Sequence, residues 1–311
     1  QLCIRDSYNK GDTFLNGIVP FVAYGIVVTI HMPMCLGMTN IIAPILSPKE
    51  FTEFMIKYKP YHTITVPTYV EHFVHDRKAD SINWKCLKNL GIGGDYFPEQ
   101  SEIYVNEFLK NHGSSSIAEK GYGMTENSST AGVCLVGVNK TNSLGIPLPL
   151  NTYGIFERGT DKELKYGEEG EICITGPTEM RGYLDNEEEE RKVIKIHSDG
   201  KKWIHSEDVG IIDEDGFLFF KGRYKRLIPH GGFKLYPSYI EGVIMKHPDI
   251  DNCCVITIPD KVYGASPEAH VVIKKDSVSE LKKLKEELIK LCQDKLPSYS
   301  QPEDFIFEED L

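Results

Sequence analysis

Four residues, Asp213-Glu214-Asp215-Gly216, do most to limit the ways this chain can fold. They carry turn chemistry and lie between two apolar, β-prone runs, Val209–Ile212 and Phe217–Phe220, so the chain doubles back there as a hairpin. The reversal brings Asp208 and Arg223 to one open end. A carboxylate and a forked guanidinium held at a rigid edge suit the two hydroxyls of a ribose. The plainer reading is a structural ion pair, which at a surface is worth only ~0–1 kcal/mol. Upstream, Gly121–Glu126 reads GYGMTE. It places an aromatic, a hydroxyl and a carboxylate on a glycine-loosened turn, a set able to stack on a base, touch a phosphate and hold a hard cation. An ordinary turn after a strand is the competing reading.

Before residue 225, apolar strand-like runs alternate with helical patterns, which predicts a layered α/β architecture. Ser47-Pro48-Lys49-Glu50 predicts a helix start, with a serine cap, a proline in the first turn and a glutamate to close a capping box. Phe51, Phe54, Met55 and Tyr58 form its apolar stripe, and Thr63–Val66, bounded by Pro67, reads as the next strand. From Leu227 the plan changes. Ser238–Glu241 opens a helix, Cys253–Ile258 and Ala269–Ile273 are strands, Leu281, Leu284, Leu288 and Leu291 stripe another helix, and Asp304–Phe307 ends as a strand. The expected organisation is a large, partial α/β domain over 1–225 and a small α+β domain over 226–311, jointed at Tyr224–Arg226. Glu187–Glu190 reads as a solvated surface turn.

Composition narrows the function. A formal net charge of −11 argues against a nucleic-acid partner, since phosphate backbones are met by clustered Lys and Arg. The run Gly17–Ile30 falls short of the ~20 apolar residues of a membrane span and reads as a buried helix. The chain opens with Arg5 and Asp6 rather than a signal-like stretch, so no transmembrane or targeting segment is expected. The eight cysteines show no CxxC spacing. Cys134, Cys173 and Cys253 lie in apolar runs where a thiol packs as a small hydrophobe, which favours a reduced, cytoplasmic setting. His31 reads as a packed or surface residue, and no HExxH spacing suggests a metal.

Six ordered segments carry a resemblance: LKNLGIGGDYFP (Leu87–Pro98), GYGMTEN, SLGIPLPL (Ser143–Leu150), EEGEICITGPTEMRGY (Glu168–Tyr183), SEDVG to KGRYK, and GGFKLYPSYIE (Gly231–Glu241). Together they resemble the adenylate-forming superfamily of acyl-CoA synthetases, peptide-synthetase adenylation domains and firefly-type luciferases, and most of all an acyl-CoA synthetase. The resemblance implies that Tyr122 packs on adenine, that Thr125 and Glu126 are catalytic, with Thr125 on phosphate and Glu126 on Mg²⁺, and that Gly94, Asp95 and Gly123 contact nucleotide. Asp208 and Arg223 would hold the ribose, Tyr96 and Phe97 border the acyl pocket, Arg226 occupy the hinge, and Gly231 and Gly232, with Lys234, line the coenzyme A tunnel. Tyr24, Met34, Tyr96 and Phe97 permit aliphatic or aromatic guests.

The implied activity joins a small carboxylic acid to ATP as an acyl-adenylate and passes it to coenzyme A, with Mg²⁺ as cofactor. Loading of a carrier protein, and nucleotide binding without turnover, are the alternatives. Two departures stand out. Ser206-Glu207-Asp208 replaces the superfamily's usual Thr-Gly-Asp, and Pro20–Gly25 lacks its substrate-side histidine. A glycine-rich phosphate loop is expected before residue 1 and a Gly-Lys motif after Leu311, as in a chain truncated at both ends. Without them this stretch alone is expected to adenylate poorly, since one lost charge-stabilising donor costs ~10²–10³ in rate.

Overall fold

Ser47 begins a helix as its side chain suggests. In the computed structural model, which describes residues 8–43, 47–274 and 280–309, its Oγ accepts the Glu50 amide at 3.2 Å and donates to the Glu50 carboxylate at 3.0 Å. The helix runs Pro48–Tyr58 and stops at Lys59, which turns left-handed. Phe51 and Met55 are buried on its inner face, while Phe54 and Tyr58 stack nearer the surface. Arg5, Asp6 and Leu311 lie outside the described residues.

The polypeptide divides into two compact units, Gln1–Ser206 with Gly210–Phe220, and Glu207–Val209 with Lys221–Leu311. The first unit is built on β1 (Thr13–Gly17), β2 (Thr39–Ile41), β3 (His62–Thr65), β4 (Asn89–Ile92), β5 (Ala118–Met124), β6 (Ser129–Val133) and β7 (Ile146–Pro147), ordered β2-β1-β3-β4-β5-β6-β7. The pairs from β2 to β5 are parallel, and β6 and β7 add antiparallel edges. Helices 48–58, 67–75 and 99–111 connect these strands. Trp84, Phe73, Phe108 and Leu90 belong to the core beside the sheet. This is the layered arrangement that alternating strand and helix patterns require.

A second sheet follows in chain order: β8 (Thr152–Phe156), β9 (Gly170–Thr175), β10 (Ile194–Ile196), β11 (Lys202–Ile212) and β12 (Leu218–Arg223), arranged β10-β11-β9-β8 with β12 on β11. The expected hairpin is there. Asp213 receives the Gly216 amide at 2.9 Å, donates its own to Phe217 at 3.0 Å, and Gly216 takes φ +83°.

Two expectations need correction. The apolar run 17–30 is not a buried helix: β1 ends at Gly17, a π-helical turn begins only at Gly25, and of its residues only Gly25 and Thr29 are buried. Phe21 is 84% exposed. Pro20 interrupts the run, the Thr29 hydroxyl bonds the Gly25 carbonyl, and apolar content alone does not decide which way a face points. Glu187–Glu190 is not a turn but the first half of an exposed helix, Glu187–Val193. Asn186 caps it, the carboxylates sit at its positive end, and Arg191 pairs with Glu187 one turn on.

The second unit pairs β13 (Ile228–His230) with β14 (Phe233–Leu235), and β15 (Ile250–Asp260) with β16 (Gly264–Ile273), to which β17 (Phe305–Glu308) adds in parallel. Helices 237–244 and 281–295 share its core through Ile240, Ile244, Leu284 and Leu288. Leu281 is exposed, so the expected leucine stripe begins one turn late. No helix among the described residues is long and apolar enough to cross a membrane.

Candidate nucleotide site

Parallel pairing of β4 with β5 sends the loops after both strands to the same edge of the sheet, the edge where open α/β sheets bind ligands. After β4, Gly94 is left-handed at φ +87°, and Gly93 lies so close beneath Tyr24 that a methyl there would stand 2.8 Å from its hydroxyl. Asp95 is exposed and accepts the Tyr96 amide at 2.7 Å. Tyr96 is partly open, its ring 6.5 Å from that of Phe220, whereas Phe97 is buried in the core.

Near its end, β5 itself bulges between Tyr122 and Gly123. A side chain at Gly123 would collide with the Ser129 carbonyl, so only glycine admits this approach. Tyr122 is half-buried and meets Tyr153 edge-on at 6.0 Å. Thr125–Asn127 makes one tight turn with Thr125 exposed, and Ser128 and Ser129 follow at φ +56° and +115°, a conformation side chains rarely adopt.

What holds this strained turn is the segment after β9. The Met180 amide donates to the Glu126 carbonyl at 2.7 Å and Ser128 Oγ to the Thr178 carbonyl at 2.8 Å, while Thr178 Oγ1 lies 2.9 Å from both Asn127 Oδ1 and Asn151 Oδ1 and shares its one proton between them. The Tyr183 hydroxyl donates to Glu126 Oε1 at 2.6 Å. Burial first, and the Glu126 carboxylate second, push the Tyr183 phenol up to about 12, so it stays a donor at neutral pH. Two motifs separated along the chain thus interlock around one carboxylate. Both motifs are legible in the sequence, but Tyr183, Thr178 and Asn127 do not stand out there, because motif order says nothing of which side chains bond.

In the second unit, Arg223 Nε lies 3.0 Å from Asp208 Oδ1, with the carboxylate nearly buried and the guanidinium largely exposed. Glu207, where the resemblance has glycine, adopts φ +57° and pairs with Lys225 at 2.7 Å. The backbone therefore keeps a glycine-like shape under a charged side chain. Arg226 is tied to Glu241, which also accepts the Val255 amide at 2.8 Å. Gly231 and Gly232 form the two-residue turn between β13 and β14 at φ +56° and +90°. The structure thus brings together Thr125, Glu126 and Tyr122 in one unit, and Asp208 and Arg223 in the other.

The pattern of the AMP-binding enzyme family matches residues 1–184. The chain belongs to this family. The pattern of the AMP-binding enzyme C-terminal domain matches residues 239–311. Over 301 residues the chain is 32% identical to a probable 4-coumarate–CoA ligase of Dictyostelium discoideum, covering 96% of this chain and 52% of that protein. It is 29% identical to a long-chain-fatty-acid–CoA ligase of Bacillus subtilis, covering 100% and 54%. The chain spans about half the length of the curated relatives it matches. Among solved structures, the o-succinylbenzoate CoA synthetase of Bacillus subtilis in complex with its acyl-adenylate intermediate superposes at TM-score 0.81 and 25% identity, over 96% of this chain and 58% of that one. The ATP-bound MatB of Rhodopseudomonas palustris gives 0.84 at 21%, over 98% and 57%, a likeness of fold.

Proposed function

We propose that this protein is an ATP-dependent acid–thiol ligase. A carboxylate oxygen attacks the α-phosphorus of ATP, the bond to pyrophosphate breaks, and an acyl-adenylate remains. The sulfur of coenzyme A then attacks the acyl carbon and AMP leaves. The observation that carries the reading is the Glu126 carboxylate, fixed by Tyr183 on a turn with an exposed threonine and a half-buried tyrosine. Catalysis of this kind is chiefly positioning and electrostatics.

Tyr122 would present its ring to adenine and Thr125 its hydroxyl to phosphate, while Gly93, Gly94 and Gly123 allow the backbone to approach the nucleotide and Asp95 borders it. Asp208 and Arg223 would take the ribose hydroxyls. A lone hard oxygen donor whose neighbour is a phenol fits Mg²⁺, which accepts one or two carboxylates and fills its shell with phosphate and water. When bound there it would neutralise phosphate charge. Tyr24 and Tyr96 would border the acyl group, with Phe97 behind them in the core. Arg226 would be the hinge between domains 1–225 and 226–311, and the Gly231–Gly232 turn would face the pantetheine arm. The free described cysteines support a cytoplasmic setting.

The test is pyrophosphate exchange by the full-length protein across a panel of fatty and aryl acids, followed by thioester formation with free coenzyme A. Exchange with at least one acid, and its loss in Glu126→Gln, is the expected result. Absence of exchange with every acid overturns the reading. Exchange followed by transfer only to a carrier protein replaces the acceptor.

A further inference from the structure

Three residues before Asp208 on β11, the second sheet holds a cluster of metal-binding side chains that the nucleotide chemistry leaves unused. Glu171 and Cys173 stand two apart on β9 and so share one face, and His205 comes from the neighbouring β11. Glu171 Oε2 lies 2.9 Å and Cys173 Sγ 3.5 Å from His205 Nδ1, and the three donor atoms fall within 4.8 Å of one another. All three residues are at most 3% exposed.

We propose that Glu171, Cys173 and His205 form a site for a thiophilic divalent cation of the zinc class. A sulfur, a nitrogen and an oxygen donor together suit Zn²⁺ and not Mg²⁺, which takes oxygens. Tetrahedral zinc, with bonds of about 2.0–2.3 Å, sets its ligand atoms roughly 3.3–3.6 Å apart. The nitrogen–sulfur spacing already matches, and the nitrogen–oxygen spacing opens by about half an ångström on exchanging a proton for the metal. Three protein ligands leave the fourth position to water.

Electrostatics and support favour the same occupant. A divalent ion with one thiolate and one carboxylate makes a neutral site, and the Gly159 amide, 3.1 Å from Glu171 Oε2, already orients the carboxylate. His205 Nε2, the nitrogen facing away from the site, lies 2.9 Å from His197 Nε2, the kind of outer contact that fixes the tautomer of a metal-bound histidine. His197 is itself stacked on Trp203. The ligands sit on strands rather than loops, so the site costs little ordering and cross-links β9 to β11. None of this depends on the ligase reading.

Chelator-treated protein is titrated anaerobically with Co²⁺ as a spectroscopic stand-in. The expected result is one Co²⁺ per chain with a thiolate-to-cobalt charge-transfer band that Zn²⁺ abolishes by displacement. Cys173→Ala removes the band, while Cys134→Ala, at another buried thiol, keeps it. His205→Gln lowers Zn²⁺ affinity beyond the about 10–100-fold expected of the outer-contact variant His197→Phe. Circular dichroism monitors folding, and if Cys173→Ala does not fold, Glu171→Gln and His205→Gln decide by the same loss of affinity with the thiol intact. No band in the folded parent protein, or a band and affinity unchanged in a folded Cys173 or His205 variant, overturns the proposal and leaves a hydrogen-bonded cluster.

Discussion

Gly121 and Gly123 flank Tyr122, yet they answer to different constraints. A methyl at Gly121 would find ordinary contacts, the nearest at 3.6 Å, whereas one at Gly123 would meet the Ser129 carbonyl head-on. Gly123→Ala is therefore expected to destabilise by about 1–3 kcal/mol as the bulge is forced apart, and Gly121→Ala by far less. Thermal melts of the two variants measure the contrast; equal losses would mean the bulge is not the constraint. A second single-group effect lies beside β3 and β4. Glu119 accepts the Asn89 amide at 2.9 Å, Asn89 Oδ1 meets His62 at 2.7 Å, and His62 meets Asp12 at 2.9 Å. Burial pushes the Glu119 carboxyl up from 4.5 to about 7. Because the folded state holds this proton more tightly, the stability it contributes is complete below about pH 4.5 and is lost as pH rises through about 7, a fall of at most about 3 kcal/mol. Denaturant unfolding between about pH 5 and 8 should show that decline in the parent and a flatter curve in Glu119→Gln, with the variant the more stable at the alkaline end. A parent and variant with parallel curves would exclude it.

Turns rather than strands carry the information that the amino-acid pattern conveys most reliably here. Asp213–Gly216 and Ser47–Glu50 could be read in advance because their chemistry is local: a side chain bonds a backbone group a few residues away. The π-helical segment after Pro20 could not, because its outcome depends on what packs beneath it, whereas the helix at Glu187 starts from the equally local Asn186 cap, a signal that the charge run hides. Gly231–Gly232 joins the first class, since a two-residue hairpin with positive φ at both positions is the favoured tight connection. Gly232 has open space around its missing side chain, so Gly232→Ala isolates the backbone cost, expected at about 1–2 kcal/mol. A methyl at Gly231 would in addition stand 2.9 Å from the Tyr263 ring, so Gly231→Ala should cost more. Chemical denaturation of both variants orders them, and a larger loss at Gly232 would contradict this account.

Each of the two units buries hydrophobic clusters of its own. The candidate site was accessible only in part. Tyr122, Thr125 and Glu126 in one unit, and Asp208 and Arg223 in the other, are candidates by residue type, whereas the Tyr183 hydroxyl that fixes Glu126 and the strained φ of Glu207 are products of tertiary approach. Leu288 is fully buried in the core of the second unit with Leu284, Ile240 and Val271, and Phe73 is fully buried in the first beside Trp84. Removing either large side chain leaves a cavity costing about 2–5 kcal/mol. Because no residue is shared between the two clusters, the loss should be felt by one set of strands. Amide hydrogen exchange is the measurement: Leu288→Ala should accelerate exchange in β15, β16 and β17 while β1, β3 and β4 keep their protection, and Phe73→Ala should do the reverse. Acceleration spread evenly over both sets would mean that the two cores unfold as one cooperative body.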